Sequence, residues 1–168
     1  MSVVAPRPLL TTLAFVRRGE QTLMLERAPR GAHDVHAGRW NGLGGKFLAG
    51  ESPEACLRRE VREEAGIEVE EATLKGCITF PSFDGVRDVY SFVFLVTRFR
   101  GEPLREGPEG RLHWVATRSL ATLPLWEGDR VFLPWLERPG TFSATFRYVQ
   151  GRFAGHEVAH YPSRDSFS

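Results

Sequence analysis

The most constraining feature of this chain is a set of fixed spacings between Gly45 and Ile67. They follow the pattern G-x5-E-x7-R-E-U-x-E-E-x-G-U, where U is a bulky aliphatic residue. The nine specified positions are all filled, by Gly45, Glu51, Arg59, Glu60, Val61, Glu63, Glu64, Gly66 and Ile67. At average residue frequencies, such a match at one start position has a chance on the order of 10⁻⁹. Coincidence therefore does not explain the pattern.

The second half of this segment predicts a helix that is preceded by a glycine-rich loop. Ser52 is a good N-cap, Pro53 suits the first helical position, and Gly66 suits the C-terminal stop. A buried stripe is expected at Leu57, Val61 and Ala65.

The glutamates of this helix predict a metal site. Residues three and four apart share a helix face, so Glu60, Glu63 and Glu64 are expected to project together. Crowded carboxylates repel one another, and hard divalent cations such as Mg²⁺, or Mn²⁺, are bound by carboxylate oxygens. A solvated charged face is the alternative for an acidic helix. The glycines, together with Glu51 and Arg59 at their spacings, favour the metal site.

Length and composition indicate one ordinary globular domain. The chain has 168 residues, 42% hydrophobic and 26% charged, with a net charge of +1. We expect a single domain over residues 1–162 and a frayed polar tail over residues 163–168. The near-zero net charge gives no support to a nucleic-acid polymer or a membrane surface as partner.

Cysteine usage and the N-terminus predict a cytoplasmic protein. Cys56 and Cys77 are the only cysteines, and we interpret both as small apolar fillers in a reducing compartment. The first ten residues lack a charged segment followed by a long apolar run, so neither export nor membrane insertion is indicated. A monomer is expected, although the sequence does not set the oligomeric state.

The remaining chain predicts a mixed sheet between helices. Strands are predicted at residues 9–16, 22–25, 73–83, 89–99, 111–116, 141–149 and 153–158. A second helix is predicted at residues 129–137, where Pro134 bends or shortens it. Residues 27–39 form a loop long enough to bind a ligand. Because strands and helices interleave without βαβ regularity, the predicted fold class is α/β (α+β) with a mixed sheet.

The pattern between Gly45 and Ile67 resembles the Nudix box of the MutT-like pyrophosphohydrolases. This resemblance implies the Nudix α/β/α sandwich, with a mixed β-sheet between helices. It also implies a Mg²⁺-dependent enzyme that hydrolyses a nucleoside triphosphate between its α- and β-phosphorus atoms. Metal ions can polarise the phosphoryl group and activate the attacking water.

The resemblance also implies roles for individual residues. The implied metal ligands are Glu60, Glu63, Glu64, Glu109 and the backbone carbonyl of Gly44. Arg59 resembles the family arginine that orients the box glutamates by ion pairing. Glu51 resembles the family glutamate that stabilises the loop. Lys46 is expected to neutralise phosphate charge, with an ordinary surface lysine as the alternative. Glu109 lies outside the box, and as metal ligand or base it competes with the nearby Glu106.

Flanking segments resemble the MutT-homologue branch that clears oxidised purine nucleotides. The entry motif GRWNGLGGK, at residues 38–46, carries most of this resemblance, and residues 74–102 and 124–146 support it. In that branch, positions equivalent to Asn41, Trp126 and Asp129 hold the base. An indole can stack on a purine, while an amide and a carboxyl can read its polar edge.

Alternatives remain for these base-pocket residues. Trp126 could be a core aromatic, and Asp129 could be the N-cap of the second helix. Thr12 aligns with a residue of the pocket wall in that branch. The alternative is an ordinary strand residue, because threonine is common in strands. Eukaryotic members of the branch carry two adjacent aspartates after the tryptophan, whereas Gly128 precedes the single Asp129 here. Base discrimination could therefore differ.

These observations predict an 8-oxo-dGTP diphosphatase that releases 8-oxo-dGMP and pyrophosphate and so sanitises the nucleotide pool. One alternative is a broader housecleaning pyrophosphohydrolase of purine and other nucleoside triphosphates. Another is a Nudix nucleotide-binding or regulatory module without turnover, which the intact glutamates disfavour.

Overall fold

The computed structural model describes residues 6–163, which contain nine strands in one mixed sheet. The strands are β1 (Leu9–Arg18), β2 (Gln21–Arg27), β3 (Trp40–Asn41), β4 (Glu68–Phe80), β5 (Val89–Arg100), β6 (Glu106–Gly107), β7 (Gly110–Ala116), β8 (Thr141–Val149) and β9 (Arg152–Tyr161). The α-helices are α1 (Pro53–Ala65) and α2 (Glu127–Phe132), and 3-10 helices cover Thr117–Thr122 and Leu133–Glu137.

The strand order in the sheet is β6-β7-β2-β1-β5-β4-β8-β9, and β3 pairs with β2. β1 runs parallel to β5, and β4 runs parallel to β8. The other paired strands are antiparallel. The predicted mixed sheet is therefore confirmed.

Helices cover both faces of the sheet. Alternate residues of β1 show this, because they belong to two different core clusters. Ala14 and Val16 belong to the core cluster that contains Leu57 of α1. Phe15, which lies between them, belongs to a second cluster that contains Phe132 of α2. Successive residues of a strand face opposite sides, so the two clusters lie on opposite faces. The expected α/β/α sandwich is confirmed.

Helix α1 begins and ends where the sequence predicts. The Ser52 side chain accepts a hydrogen bond from the Ala55 backbone N–H at 3.1 Å, and Pro53 is the first helical residue. Gly66 ends the helix in the left-handed conformation, with φ of 70°, and its N–H donates to the Arg62 carbonyl. The predicted buried stripe is also confirmed at Leu57, Val61 and Ala65.

The prediction of a strand at residues 73–83 was wrong at both ends. β4 begins at Glu68, in an acidic stretch with low strand propensity, and its pairing with β5 is irregular on both sides of Glu71. The strand ends at Phe80 because a turn follows, in which Ser82 has a positive φ of 46°. Phe83 consequently lies in a loop.

The second helix is shorter than predicted and begins earlier. α2 starts at Glu127, two residues before the expected start. The chain changes to a 3-10 helix at Leu133, next to Pro134, which lacks the N–H that an α-helix requires. The predicted effect of Pro134 is therefore confirmed.

The two strands predicted at the C-terminus are present, and they pair as an antiparallel hairpin. Gln150 and Gly151 both have positive φ, 49° and 75°, which fits a two-residue turn of type I′. The last strand extends to Tyr161, three residues beyond the prediction. The other predicted strands are confirmed with their ends moved by at most two residues, whereas β3 and β6 were not predicted. Most of the predicted frayed tail, residues 164–168, lies outside the described residues.

Both cysteines are free thiols, Cys56 buried and Cys77 half-buried. Among residues 6–163, no helix combines the length and apolar character that crossing a membrane requires.

Candidate active site

The glycine-rich loop before α1 runs antiparallel to β1 at very short range, with bridges between Thr11 and Lys46 and between Ala14 and Leu43. The amides of Ala14 and Thr12 donate to the carbonyls of Leu43 and Gly45, at 2.6 and 2.9 Å. Between these two bonds, Gly44 has a φ of 146°. A Cβ atom at Gly44 would lie 2.0 Å from the Thr12 carbonyl oxygen. The loop therefore requires glycine at this position.

The Glu64 carboxylate is buried directly under this loop. Only 5% of the residue is exposed, and its Oε2 accepts a hydrogen bond from the Gly44 backbone N–H at 2.9 Å. Burial raises the pKa of Glu64 to about 8, and the negative charges of Glu60 and Glu109 add to the increase. A cation placed here would stabilise the ionised carboxylate.

Arg59 connects the glutamates of the box. Its guanidinium donates to both Glu51 oxygens at 2.6 and 2.9 Å, and to Glu60 at 2.6 Å. It also donates to Glu63 at 3.3 Å and to the Lys46 backbone carbonyl at 2.9 Å. These bonds hold the pKa of Glu51 at about 2 and raise the pKa of Arg59. The predicted ion pairing by Arg59 is present in this structure.

The box residues fit a hard divalent cation. Glu60 packs against the glycine loop, since a Cβ on Gly45 would lie 2.5 Å from its carboxyl carbon. Glu63 is more exposed, with 58% of its side chain accessible. All the side-chain donors are carboxylate oxygens, the type that Mg²⁺ and Mn²⁺ prefer. In the arrangement described for residues 6–163, no three acidic, histidine or cysteine side chains form a preformed metal cluster.

Glu109 is held by two arginines, one at the end of β2 and one in the loop that follows it. Its carboxylate pairs with Arg27 at 3.1 Å and with Arg30, and only 22% of its side chain is exposed. Its charge contributes to the raised pKa of Glu64. Glu109 thus lies near the box, whereas its role as metal ligand or base remains a prediction.

A cavity of about 210 Å³ extends from the box to the base-pocket residues. The predicted site residues that line it are Thr12, Asn41, Gly44, Glu64, Trp126 and Asp129. Lys46 is exposed and does not line this cavity. A larger cleft of about 660 Å³ lies elsewhere, lined by residues such as Arg17, Arg130 and Glu137, and contains none of the predicted site residues.

Trp126 is a half-buried residue of the cavity wall. The Arg39 guanidinium lies over its ring at 4.0 Å from the centroid. Its indole N–H donates to His36 Nδ1 at 3.2 Å. Phe83 and Tyr148 each contact the indole edge-on, with centroid distances of 5.8 Å. The indole is therefore held at the wall from several sides, where a planar base could contact it.

Asp129 faces the same cavity from the first turn of α2. The alternative interpretation as N-cap was wrong, because Trp126 occupies that position and Asp129 lies inside the helix. Desolvation raises the pKa of Asp129 to about 7, opposed by the charges of Arg130 and Arg39. A carboxyl with this pKa can donate as well as accept a hydrogen bond near neutral pH.

The packing around Gly128 explains why glycine precedes Asp129. Its N–H donates to the Tyr148 hydroxyl at 2.9 Å. A Cβ at this position would lie 2.7 Å from that hydroxyl and 2.9 Å from Phe146 Cδ2. The site therefore has no room for a second aspartate at position 128 without a shift of Tyr148.

Sequence reasoning missed several residues of the site. His36, Phe83 and Tyr148 line the cavity from three separate segments, and Arg27 lines it from the end of β2. The only sequence signal for His36 was the length of the loop at residues 27–39. Nothing local indicated Phe83 or Tyr148, because their proximity depends on the pairing of β4 with β8.

Comparisons with known proteins agree with this geometry. The family model of the NUDIX domain matches residues 7–136. The Nudix hydrolase YvcI of Bacillus subtilis is 31% identical over 142 residues, 82% of this chain and 85% of its own. The oxidized purine nucleoside triphosphate hydrolase of Danio rerio is 30% identical over 150 residues, 89% of each chain.

A solved structure has the same architecture. The mutator MutT protein from Bacillus halodurans superposes with a TM-score of 0.79 at 30% identity, covering 92% of this chain and 99% of its own. The domain model thus spans most of the chain, and the relatives align over most of their lengths. This protein is an enzyme of the Nudix hydrolase family, similar to MutT.

Proposed function

We propose that this enzyme hydrolyses purine nucleoside triphosphates to the monophosphate and pyrophosphate, with 8-oxo-dGTP as its preferred substrate and Mg²⁺ as its cofactor. In the cell this reaction would remove oxidised purines from the nucleotide pool. The observation that carries the proposal is one cavity whose wall contains Trp126 and Asp129 as well as Gly44 and Glu64. A purine base at the first pair and its triphosphate at the second pair would both lie within this one cavity.

The proposed phosphate end consists of the glycine loop and the box glutamates. Glu60, Glu63 and Glu64 would hold the metal together with the Gly44 carbonyl, and Glu109 is the further candidate ligand or base. When bound, Mg²⁺ supplies positive charge to the phosphates and activates water. Arg59 keeps Glu60 and Glu63 oriented through its ion pairs.

The proposed base end combines stacking with edge recognition. Trp126 offers an indole to the purine, and stacking of this kind contributes about 1–3 kcal/mol per base. Asn41 and Asp129 line the same cavity and can bind the polar edge. An 8-oxopurine carries a donor at N7, where the normal purine carries an acceptor. The ionised form of the Asp129 carboxyl can only accept, so it would bind the N7–H of the oxidised base and not the N7 acceptor of the normal purine.

Related proteins support the choice of substrate. The relatives from Danio rerio and Mus musculus are named oxidized purine nucleoside triphosphate hydrolases, and the latter is 31% identical over 139 residues. The similarity to the fish enzyme covers 89% of the present chain, including both ends of the cavity.

The test is a substrate panel of 8-oxo-dGTP, dGTP, dATP and ATP with Mg²⁺, with products separated by ion-exchange chromatography. We expect nucleoside monophosphate and pyrophosphate, and the highest kcat/KM for 8-oxo-dGTP. Equal kcat/KM for all purines would replace the specific proposal with a broader triphosphate pyrophosphohydrolase. Nucleoside diphosphate with inorganic phosphate would contradict the proposed bond cleavage.

A further inference from the structure

The loop that follows β2 is folded around Asp34 and places His36 at the cavity. The Asp34 carboxylate accepts hydrogen bonds from the backbone N–H groups of His36 at 2.9 Å and Arg30 at 3.0 Å. Both bonds lower the pKa of Asp34, the one from His36 most strongly. His36 is half-buried and lines the cavity beside Trp126. The loop thus fixes the backbone from which His36 extends.

The contact between His36 and Trp126 has only one possible direction. The indole Nε1–H is a donor without acceptor capacity, so His36 Nδ1 must be the acceptor in their 3.2 Å hydrogen bond. Nδ1 can accept only when it carries no proton, which leaves the ring proton on Nε2. The observed contact therefore requires a neutral His36.

The surroundings of His36 favour this neutral form. Phe83 stacks on its ring with an interplanar angle of 24° and a centroid distance of 6.4 Å. Burial lowers the pKa of His36, and the positive charges of Arg27 and Arg39 lower it further, against the opposing effect of Asp34. Asp34, Arg27 and Arg39 are thus the charged groups that face this ring.

We propose that His36 is a positioning residue, which fixes the orientation of the Trp126 indole and so sets the affinity of the site for the purine. This inference rests on the proposed function only in taking Trp126 as the base platform. Arg39 holds the ring face while its Nη1 donates to the Leu125 carbonyl at 3.0 Å, and His36 holds the indole N–H. Together these contacts prevent the indole from rotating about its side-chain bonds.

The test uses three histidine variants of the whole chain, and Trp126→Phe to assign the resonance. His36→Leu removes the acceptor, whereas His36→Asn retains an acceptor atom at the position equivalent to Nδ1. His33→Leu is the matched control, because His33 is an exposed histidine of the same loop that does not line the cavity. The indole N–H resonance of Trp126, identified by its loss in Trp126→Phe, is recorded by NMR without substrate. KM and kcat are then measured with 8-oxo-dGTP.

We expect His36→Leu to shift the Trp126 indole resonance and to raise KM about fivefold to tenfold, the loss of one neutral hydrogen bond, while kcat stays within about twofold. His36→Asn should restore both values, and His33→Leu should match the wild type. In the wild type the resonance should also change at acidic pH, where protonation removes the acceptor; because burial lowers the pKa of His36, this change should need a lower pH than that of an ordinary histidine.

An unchanged resonance and KM in His36→Leu would overturn the inference, as would a failure of His36→Asn to restore them. The two proposals also fail separately. If the wild type does not hydrolyse 8-oxo-dGTP, the proposed substrate is wrong. The NMR comparison, which needs no substrate, still decides whether His36 orients Trp126.

Discussion

The 2.9 Å hydrogen bond from the Gly44 N–H to Glu64 joins the glycine loop to helix α1 at the centre of the site. Without a cation, burial gives the Glu64 carboxyl a pKa of about 8, so it carries a proton at neutral pH. A divalent metal ligated by Glu64 must displace that proton, because a metal binds the ionised carboxylate. Metal affinity should consequently increase with pH across the neutral range.

Replacing Glu64 with glutamine tests its catalytic importance. Glu64→Gln keeps the size of the side chain but removes the charge that the cation needs. We expect kcat to fall at least about a hundredfold, equivalent to about 2.7 kcal/mol, with the fold retained. Steady-state kinetics at saturating Mg²⁺ measure the effect. Glu54→Gln is the matched control, since Glu54 is exposed on the first turn of the same helix. Near wild-type turnover in Glu64→Gln would refute the assignment.

The stability of the metal-free protein should decrease with pH through Glu64. Its folded-state pKa of about 8 lies above the ordinary value of 4.5, so the folded protein keeps a proton that the unfolded chain has released. Stability is therefore lost as pH rises from about 5 to about 8, by an amount on the order of a few kcal/mol. Asp129, with its pKa raised from 3.8 to about 7, acts in the same direction.

Urea unfolding in EDTA at pH 5, 6, 7 and 8 checks this dependence. Glu64→Gln cannot ionise, so its free energy of unfolding should decline less than that of the wild type. If the free energy of unfolding declined equally with pH in both proteins, groups other than Glu64 would cause the pH dependence.

Local sequence signals identified α1 and its glutamates, because capping and ion pairing involve residues close together in the chain. Ser52, Gly66 and the Arg59–Glu51 pair all lie within this one segment. The burial of Glu64 was not predictable from helix periodicity, which placed it on a shared acidic face. That burial arises where the Gly44 N–H contacts the Glu64 carboxylate, a contact between the glycine loop and helix α1.

The base end of the site was predictable only in part. The resemblance identified Trp126 and Asp129, whereas His36, Phe83 and Tyr148 come together through strand pairing and loop folding. The irregular pairing of β4 lies between residues 69 and 76 and concealed the start of the strand, whereas a turn at Ser82 separates Phe83 from its end. Long-range contacts of this kind leave no pattern in neighbouring residues.

Removing the Trp126 indole should weaken substrate binding more than it affects folding. Stacking contributes about 1–3 kcal/mol, so Trp126→Ala should lower kcat/KM roughly tenfold to a hundredfold. Trp135→Ala provides the contrast, because Trp135 is only 7% exposed within the core. That variant should mainly lower Tm, which thermal unfolding measures. If Trp126→Ala lost stability like Trp135→Ala while Trp126→Phe kept full affinity, Trp126 would be a core residue.

The close packing of Gly128 against Tyr148 predicts an energetic coupling between them. Gly128→Ala should lower the free energy of unfolding by about 1–3 kcal/mol, since its Cβ would overlap the Tyr148 hydroxyl. In a Tyr148→Phe background the same change should cost less, because the hydroxyl is gone. Urea unfolding of the four proteins in a double-mutant cycle gives the coupling. Strict additivity would disprove the steric explanation for glycine at this position.

The most direct test of the base pocket is the ratio of kcat/KM for 8-oxo-dGTP to kcat/KM for dGTP, measured in the wild type and in Asp129→Ala. If the Asp129 carboxyl reads the edge at which the two bases differ, the wild type should prefer 8-oxo-dGTP. Asp129→Ala should then lose at least about tenfold of that preference, as expected when an edge-reading group is removed. Glu127→Ala changes an exposed residue two positions before Asp129 in the same turn of α2, and it should keep the wild-type ratio. An unchanged ratio in Asp129→Ala would contradict the proposed recognition of oxidised purines.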